Sequence, residues 1–156
     1  MPTTTPVRDV MTTPVVTLRP EQSFQEGADL LAERGIGAAP VVDTDNKVVG
    51  LLRDEDLIVT EANLHAPTWF NVLGAEFPLP GAQKRFEAEL RRMVAATVKD
   101  LMTTKFETAR PGDTLGDVAA RMHDRDVTHL PVVDDDGRLV GIIARGDLVR
   151  RVAADA

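Results

Sequence analysis

The chain has 156 residues, 43% hydrophobic and 28% charged, which suffices for one compact core and is far from the composition of a disordered polypeptide. It contains no cysteine, so disulfides, thiolate metal sites and cysteine nucleophiles are excluded, and its net charge of −7 opposes duplex nucleic acid as a partner. The opening MPTTTPVRDV has neither a basic start nor a hydrophobic stretch, and no apolar run approaches the roughly 18 residues of a membrane span, so a cytoplasmic protein with no membrane partner is expected.

Along the chain, one pattern appears twice. Residues 7–58 align without a gap on residues 98–149 at a constant offset of 91, with about nineteen identical pairs. In the first copy Pro14-Val15-Val16-Thr17-Leu18 reads as a short strand stopped at Arg19-Pro20, and Phe106 to Ala109 is its counterpart before Arg110-Pro111. Ser23-Phe24-Gln25-Glu26 has the form of a capping box, echoed by Thr114 and Asp117. Behind these caps Phe24, Ala28 and Leu31, or Leu115, Ala119 and Met122, form one apolar stripe of a helix that ends near Gly35 or Asp126. Pro40 to Asp43 and Lys47 to Leu52 are then the strands of a hairpin around Thr44-Asp45-Asn46. The second copy turns at Asp135-Asp136-Gly137, and a final helix opens near Asp54 or Gly146.

Residues 59–97 interrupt the symmetry. The helix closing the first copy is expected to run on through Leu64, followed by turns at His65-Ala66-Pro67 and Pro78-Leu79-Pro80-Gly81 around Trp69 to Gly74. A second helix over residues 82–96 would carry Phe86, Leu90, Met93 and Val94 on one face, with Arg85–Glu89 and Glu87–Arg91 as outer ion pairs. Trp69, Phe70 and Phe77 would give this insert an aromatic core or anchor.

The doubled motifs resemble the CBS domain. The resemblance rests on Val10-Met11-Thr12-Thr13-Pro14, Pro40-Val41-Val42-Asp43 and Gly50-Leu51-Leu52 with Asp56-Leu57. The matching residues are Leu101-Met102-Thr103-Thr104, Pro131-Val132-Val133-Asp134 and Gly141-Ile142-Ile143 with Asp147-Leu148. A pair of such repeats resembles a Bateman module, which implies an α+β fold of tandem β-α-β-β-α units about a pseudo-twofold axis. Residues 1–58 would be the first repeat, 59–97 a helical insert of the kind seen in stand-alone bacterial CBS proteins, and 98–156 the second repeat. The resemblance also implies binding of AMP, ADP, ATP or S-adenosylmethionine in clefts between the repeats.

In that family an Asp closing the segment after the third strand accepts hydrogen bonds from ribose hydroxyls, a role that falls on Asp56 and Asp147 here. A carboxylate suits it because it accepts from both vicinal hydroxyls, although an Asp in a first helical turn also simply complements the helix dipole. The Ser or Thr that the family places near the phosphate is Arg53 in one copy and Ala144 in the other. Arg53 could hold phosphate oxygens or form a surface ion pair with Asp54 or Glu55, while Arg145 could reach around Ala144. For the base, the resemblance points to backbone groups of Gly37, Ala38 and Ala39 just before Pro40, with Val15 and Val16, and to those of Thr128, His129 and Leu130 just before Pro131, with Phe106. Small Gly37 and Ala38 would admit a purine, whereas His129 would stack on a ring or occlude it.

His65, His123 and His129 lack metal-ligand spacing, Asp134 to Gly137 lacks the order of a calcium loop, and Ser23, the sole serine, sits at a cap. No catalytic constellation and no cofactor is expected. The sequence is therefore read as a non-catalytic adenine-nucleotide sensor acting by population shift on an unidentified protein partner. The alternatives are a structural interaction protein with vestigial pockets and, less directly, a nucleic-acid-associated regulator. A homodimer is expected as well, through Phe24, Leu31, Leu115 and Met122 or their neighbours.

Overall fold

The computed structural model describes residues 2–57, 69–72, 75–78, 84, 88, 91 and 95–156. Its first copy comprises α1 (Phe24–Arg34), β1 (Ala38–Val42) and β2 (Val48–Arg53), followed by helical residues 54–57. Between the copies lie β3 (Trp69–Val72) and β4 (Ala75–Pro78). The second copy comprises the single-turn α2 (Val98–Leu101), α3 (Leu115–Arg125), β5 (His129–Val133), β6 (Leu139–Ala144) and α4 (Arg145–Ala154). β1 pairs antiparallel with β2, and β5 with β6, in the same register and with the same irregularity one residue before the hairpin turn. The fold is α+β, as the sequence implies.

The long helices begin and end where local chemistry dictates. Ser23 Oγ accepts from the Glu26 amide at 3.1 Å while the Ser23 amide donates to Glu26 Oε2 at 3.3 Å, so two otherwise orphaned donors are satisfied at once. Thr114 Oγ1 accepts from the Asp117 amide at 3.1 Å in the same place. Both helices stop at a residue in the left-handed region, Gly35 at φ 60° and Asp126 at φ 51°.

Each core is completed by the other copy. Val7 is fully buried among Ala109, Leu115, Val118, Leu130 and Ile143, whereas Val98 is fully buried among Leu18, Leu31, Val41 and Leu52. The backbone fixes this exchange: the Val7 amide donates to Asp113 O and the Val98 amide to Gln22 O, both at 2.8 Å. Thr12 exchanges two backbone bonds with Ile142 on β6, and Thr103 exchanges two with Leu51 on β2. Met102 and Met11 follow onto Gly50 and Gly141. A Cβ built there would lie 2.8 Å and 3.0 Å from the respective Met Cγ, so glycine is required for this close approach.

The exchange also explains a departure from the sequence reading. Pro14–Leu18 and Phe106–Ala109 form no strands; only Leu18 and Ala109 pair, each by a single parallel bridge, to β1 and β5. Residue 12 belongs to the sheet of the second copy and residue 18 to that of the first, so the backbone between them crosses from one sheet to the other and cannot follow either ladder. Residues 103–109 make the reciprocal crossing.

The insert departs too. β3 and β4 form an antiparallel hairpin, Trp69 opposite Pro78 and Val72 opposite Ala75, in place of a purely helical insert. Trp69, Phe70 and Val72 before Leu73-Gly74 and Phe77 after it favour this arrangement. Lys84, Ala88, Arg91 and Ala95 are helical, in keeping with the helix expected there. The Phe86 to Val94 stripe, its ion pairs, the extension through Leu64 and the aromatic side chains of the insert lie outside the described residues. Of the residues proposed for dimer contact, Leu31, Leu115 and Met122 are instead buried in the two cores, because the helical stripes face the sheets; Phe24 is half-buried.

Val7 is fully buried. Its burial predicts that Val7→Ala lowers unfolding free energy by about 2 kcal/mol, a typical loss for deleting buried methyl groups. Urea denaturation checks this, and a change below about 0.5 kcal/mol, the usual range for surface substitutions, contradicts the exchanged packing.

Candidate functional site

Where β2 gives way to its helix, three side chains from both copies converge. Asp56 Oδ2 accepts from the Arg53 amide at 2.9 Å, as a capping carboxylate does, and also from Arg53 Nε at 3.3 Å. Arg53 Nη2 donates to Asp56 Oδ1 and to Thr103 Oγ1, both at 2.9 Å, and Thr103 Oγ1 lies 3.3 Å from each Asp56 oxygen. Arg53 Nη1 meets Glu55 Oε1 at 2.5 Å. The Asp56 carboxylate keeps 13% of its side-chain surface exposed and Arg53 keeps 29%. The hydrogen bond to Asp56, against the cost of partial burial, holds the guanidinium even more firmly protonated than usual. Arg53 thus forms the ion pair with Glu55 that the sequence allowed, but its main partner is Asp56.

The hydroxyl that the family pattern expects at position 53 arrives from elsewhere. Thr103 is carried to this point by its backbone pairing with Leu51, so a residue of the second copy stands beside the first copy's carboxylate. Sequence reasoning used the repeated Met-Thr-Thr only as a family mark. The matching repetition of Thr12 and Thr103 was the signal that could have exposed this role.

The second carboxylate is held differently. Asp147 Oδ2 accepts from the Ala144 amide at 2.8 Å, and Oδ1 is paired with the Nη2 of Arg150, whose side chain is largely exposed. Arg145 is exposed and donates its amide to Thr128 O at 2.8 Å. Asp147 therefore faces an exposed surface cation, whereas Asp56 faces a cation tied to Asp56, Glu55 and Thr103 together.

A cleft opens beside Arg53 and is lined by Thr103, Lys105, Phe106, Thr128 and His129. It joins the first copy's arginine to the aromatic ring and base-side residues of the second copy, where the sequence reading kept each copy's residues together. The crossing of residues 103–109 brings them into one place. The lining brings together two cations, Arg53 and Lys105, the carboxylate of Glu107, two hydroxyls and a half-buried Phe106. Val16 is half-buried on the reciprocal crossing, while Ala38, Pro40 and Pro131 are buried in their strands and offer almost no side-chain surface.

Gly37 does not present open space. The His129 ring stands against it, with Cε1 only 3.4 Å from where a Gly37 Cβ would be, and Thr128 Oγ1 lies 2.9 Å from His129 Nδ1. Burial pushes the imidazole below its ordinary value near 6.5, which Asp54 and Asp147 oppose and Arg145 and Arg53 reinforce. Among the described residues no cluster of His, Asp and Glu is placed to hold a metal ion, and no helix is long and apolar enough to cross a membrane.

Comparison with known proteins places this architecture. The CBS domain family model matches residues 7–62 and again residues 98–154. The uncharacterized protein MJ1426 of Methanocaldococcus jannaschii is 33% identical over 151 residues, covering 92% of this chain and 88% of that protein. CBSX2, a chloroplastic CBS domain-containing protein of Arabidopsis thaliana, is 30% identical over 138 residues, covering 85% of this chain and 56% of CBSX2. The crystal structure of CBSX2 in complex with AMP aligns with a TM-score of 0.73 at 27% identity, covering 96% of this chain and 97% of the crystallised one. The CBS domain pair of protein MJ0100, crystallised with 5'-methylthioadenosine and S-adenosyl-L-methionine, aligns with a TM-score of 0.70 at 25% identity, covering 94% and 98%. The chain belongs to the CBS-domain family.

The half-buried imidazole makes stability depend on pH. Because its folded pKa is depressed, the fold favours the neutral ring; that contribution is complete above the unfolded value near 6.5 and is lost as pH falls through the folded value. The melting temperature is expected to decline as pH drops from 7.5 toward about 5, above the carboxylate range, and His129→Gln is expected to flatten that slope. Parallel slopes in thermal melts of the two proteins would refute the assignment.

Proposed function

We propose that this CBS-domain pair is a non-catalytic regulatory module that binds an adenine nucleotide in the cleft between its two copies. The observation that carries the reading is the convergence of Arg53, Asp56 and Thr103 beside a cleft lined by Phe106, Thr128 and His129. A ribose offers vicinal hydroxyls to the carboxylate, a phosphate offers oxygens to Arg53 and Lys105, and a purine offers a face to Phe106. The AMP complex of CBSX2 and the S-adenosyl-L-methionine complex of the MJ0100 pair show adenosyl ligands bound to relatives of the same fold.

Binding would work by exchange. The Asp56 carboxylate already has protein partners, so a ligand gains only the difference between its own hydrogen bonds and those of Arg53 and Thr103. Releasing the guanidinium from Asp56 toward a phosphate alters the tie between β2 and the crossing segment at Thr103. That tie joins the two copies, and its loss or gain is how occupancy would bias a partner protein or a second copy of the chain. A purely structural role is supported by the same observation read the other way, since both Asp56 and Asp147 are already engaged.

Calorimetry with adenosine, AMP, ADP and ATP tests the reading. Asp56→Asn, which keeps an oxygen for the cap, is expected to weaken AMP by up to about tenfold, because the roughly 1.5–3 kcal/mol of a hydrogen bond to a charged acceptor is partly offset by the Arg53 and Thr103 bonds that it replaces. Arg53→Ala is expected to weaken ADP and ATP more than adenosine. Silence across these ligands and S-adenosylmethionine, in calorimetry and in thermal shift alike, would leave the structural role standing.

A further inference from the structure

The two copies differ most sharply where they meet. At the offset of 91, Gly37-Ala38 corresponds to Thr128-His129, so a bare backbone and a methyl in one copy stand against a hydroxyl and an imidazole in the other. The His129 ring stands against Gly37, with Cε1 at 3.4 Å and Nε2 at 3.8 Å from the position of the missing Cβ, beside Asp54 Oδ2 at 3.5 Å. The short distance from Thr128 Oγ1 to Nδ1 holds one edge of the ring, which turns the other edge toward Gly37. Ala38, buried to 5% exposure, returns nothing of that size to the second copy.

The cleft beside Arg53 is lined from both copies, by Leu51 and Arg53 of the first and by a larger set from the second that includes Phe106, Thr128 and His129. The pseudo-twofold therefore assigns Ala144 and Asp147, with Val15, Val16, Gly37 and Ala38, to a reciprocal cleft. The base side of that reciprocal cleft is where the His129 ring stands.

We infer that His129 is a site-selecting residue: its ring walls the cleft beside Arg53 and plugs the reciprocal cleft at Gly37, so the chain takes one adenosyl ligand, on the Asp56 side. This rests on the adenine-nucleotide reading above. The selection is steric. A ring of similar bulk without ionisable nitrogens preserves it, and a small side chain abolishes it.

Titration calorimetry of the full chain with AMP reads the stoichiometry. One AMP per chain is expected for the wild type and for His129→Phe. His129 also lines the Asp56-side cleft, so the opened reciprocal site is read in the Asp56→Asn background: His129→Ala/Asp56→Asn, or His129→Ser/Asp56→Asn should the alanine variant fold poorly, is expected to bind one AMP that a further Asp147→Asn weakens, where Asp56→Asn alone binds AMP only weakly. Two AMP in the wild type, or no gain from His129→Ala in the Asp56→Asn background, would overturn the plug while leaving nucleotide binding intact. Absence of AMP binding throughout would instead overturn the nucleotide reading and this inference with it. A measurement without ligand separates the two: the stability effect of Gly37→Ala is compared in the wild-type and His129→Ala backgrounds. The ring contact predicts that the two substitutions are non-additive, and equal effects in both backgrounds would refute the contact.

Discussion

The reciprocal burial of Val7 and Val98 is the constraint from which the rest of the structure follows. Neither copy closes its own core, since each lends its opening turn to the other and receives the other's in return. A backbone that starts on one sheet at Thr12 must therefore travel to the other to reach Leu18, and the segment from Thr103 to Ala109 must do the same. These two crossings hold the copies together by main-chain hydrogen bonds as well as by apolar burial. They also create the cleft, because Lys105 and Phe106 are carried across in front of Arg53.

Electrostatics at the cleft follow the same division. The Asp56 carboxylate is near the start of a helix and is bonded by Arg53 from its own copy and by Thr103 from the other. A half-buried carboxylate without such partners would be costly, and one with them is stable but already engaged. Asp147 has the same backbone cap but a partner, Arg150, that projects into solvent. The copies thus share a scaffold while differing in how firmly each acid is held.

Much of the fold was legible in the chain because it is encoded over short distances. The capping residues Ser23 and Thr114, the left-handed stops at Gly35 and Asp126 and the hairpins after Pro40 and Pro131 each need only a few neighbouring residues. What was not legible depends on which copy supplies a partner. An alignment at offset 91 shows that Val7 and Val98 are equivalent, yet it cannot show that each is buried in the other's core. For the same reason Pro14–Leu18 reads as a strand although it lies between Thr12 on one sheet and Leu18 on the other, and nothing local shows that the Thr103 hydroxyl reaches Asp56. The hairpin at Trp69–Pro78 carries its own signal in Trp69, Phe70 and Val72 before Leu73-Gly74 and Phe77 after it, obscured by the helical expectation for its surroundings.

The hairpin turns carry a trace of history. Lys47 and Arg138 correspond at the offset of 91 and are paired with each other, which places them on the pseudo-twofold axis. In an assembly of two identical halves, a residue on the axis faces its own replica, and any contact beside it occurs twice. Here one such contact occurs once: the Asn46 side-chain amide donates to Leu139 O at 3.2 Å, while Gly137 at the matching position has no side chain to return the bond. Arg138 likewise reaches Asp45 O at 3.3 Å across the axis. A single continuous chain frees each side of such a contact to change alone, and the one-sided amide at Asn46 is a solution that two identical subunits could not adopt.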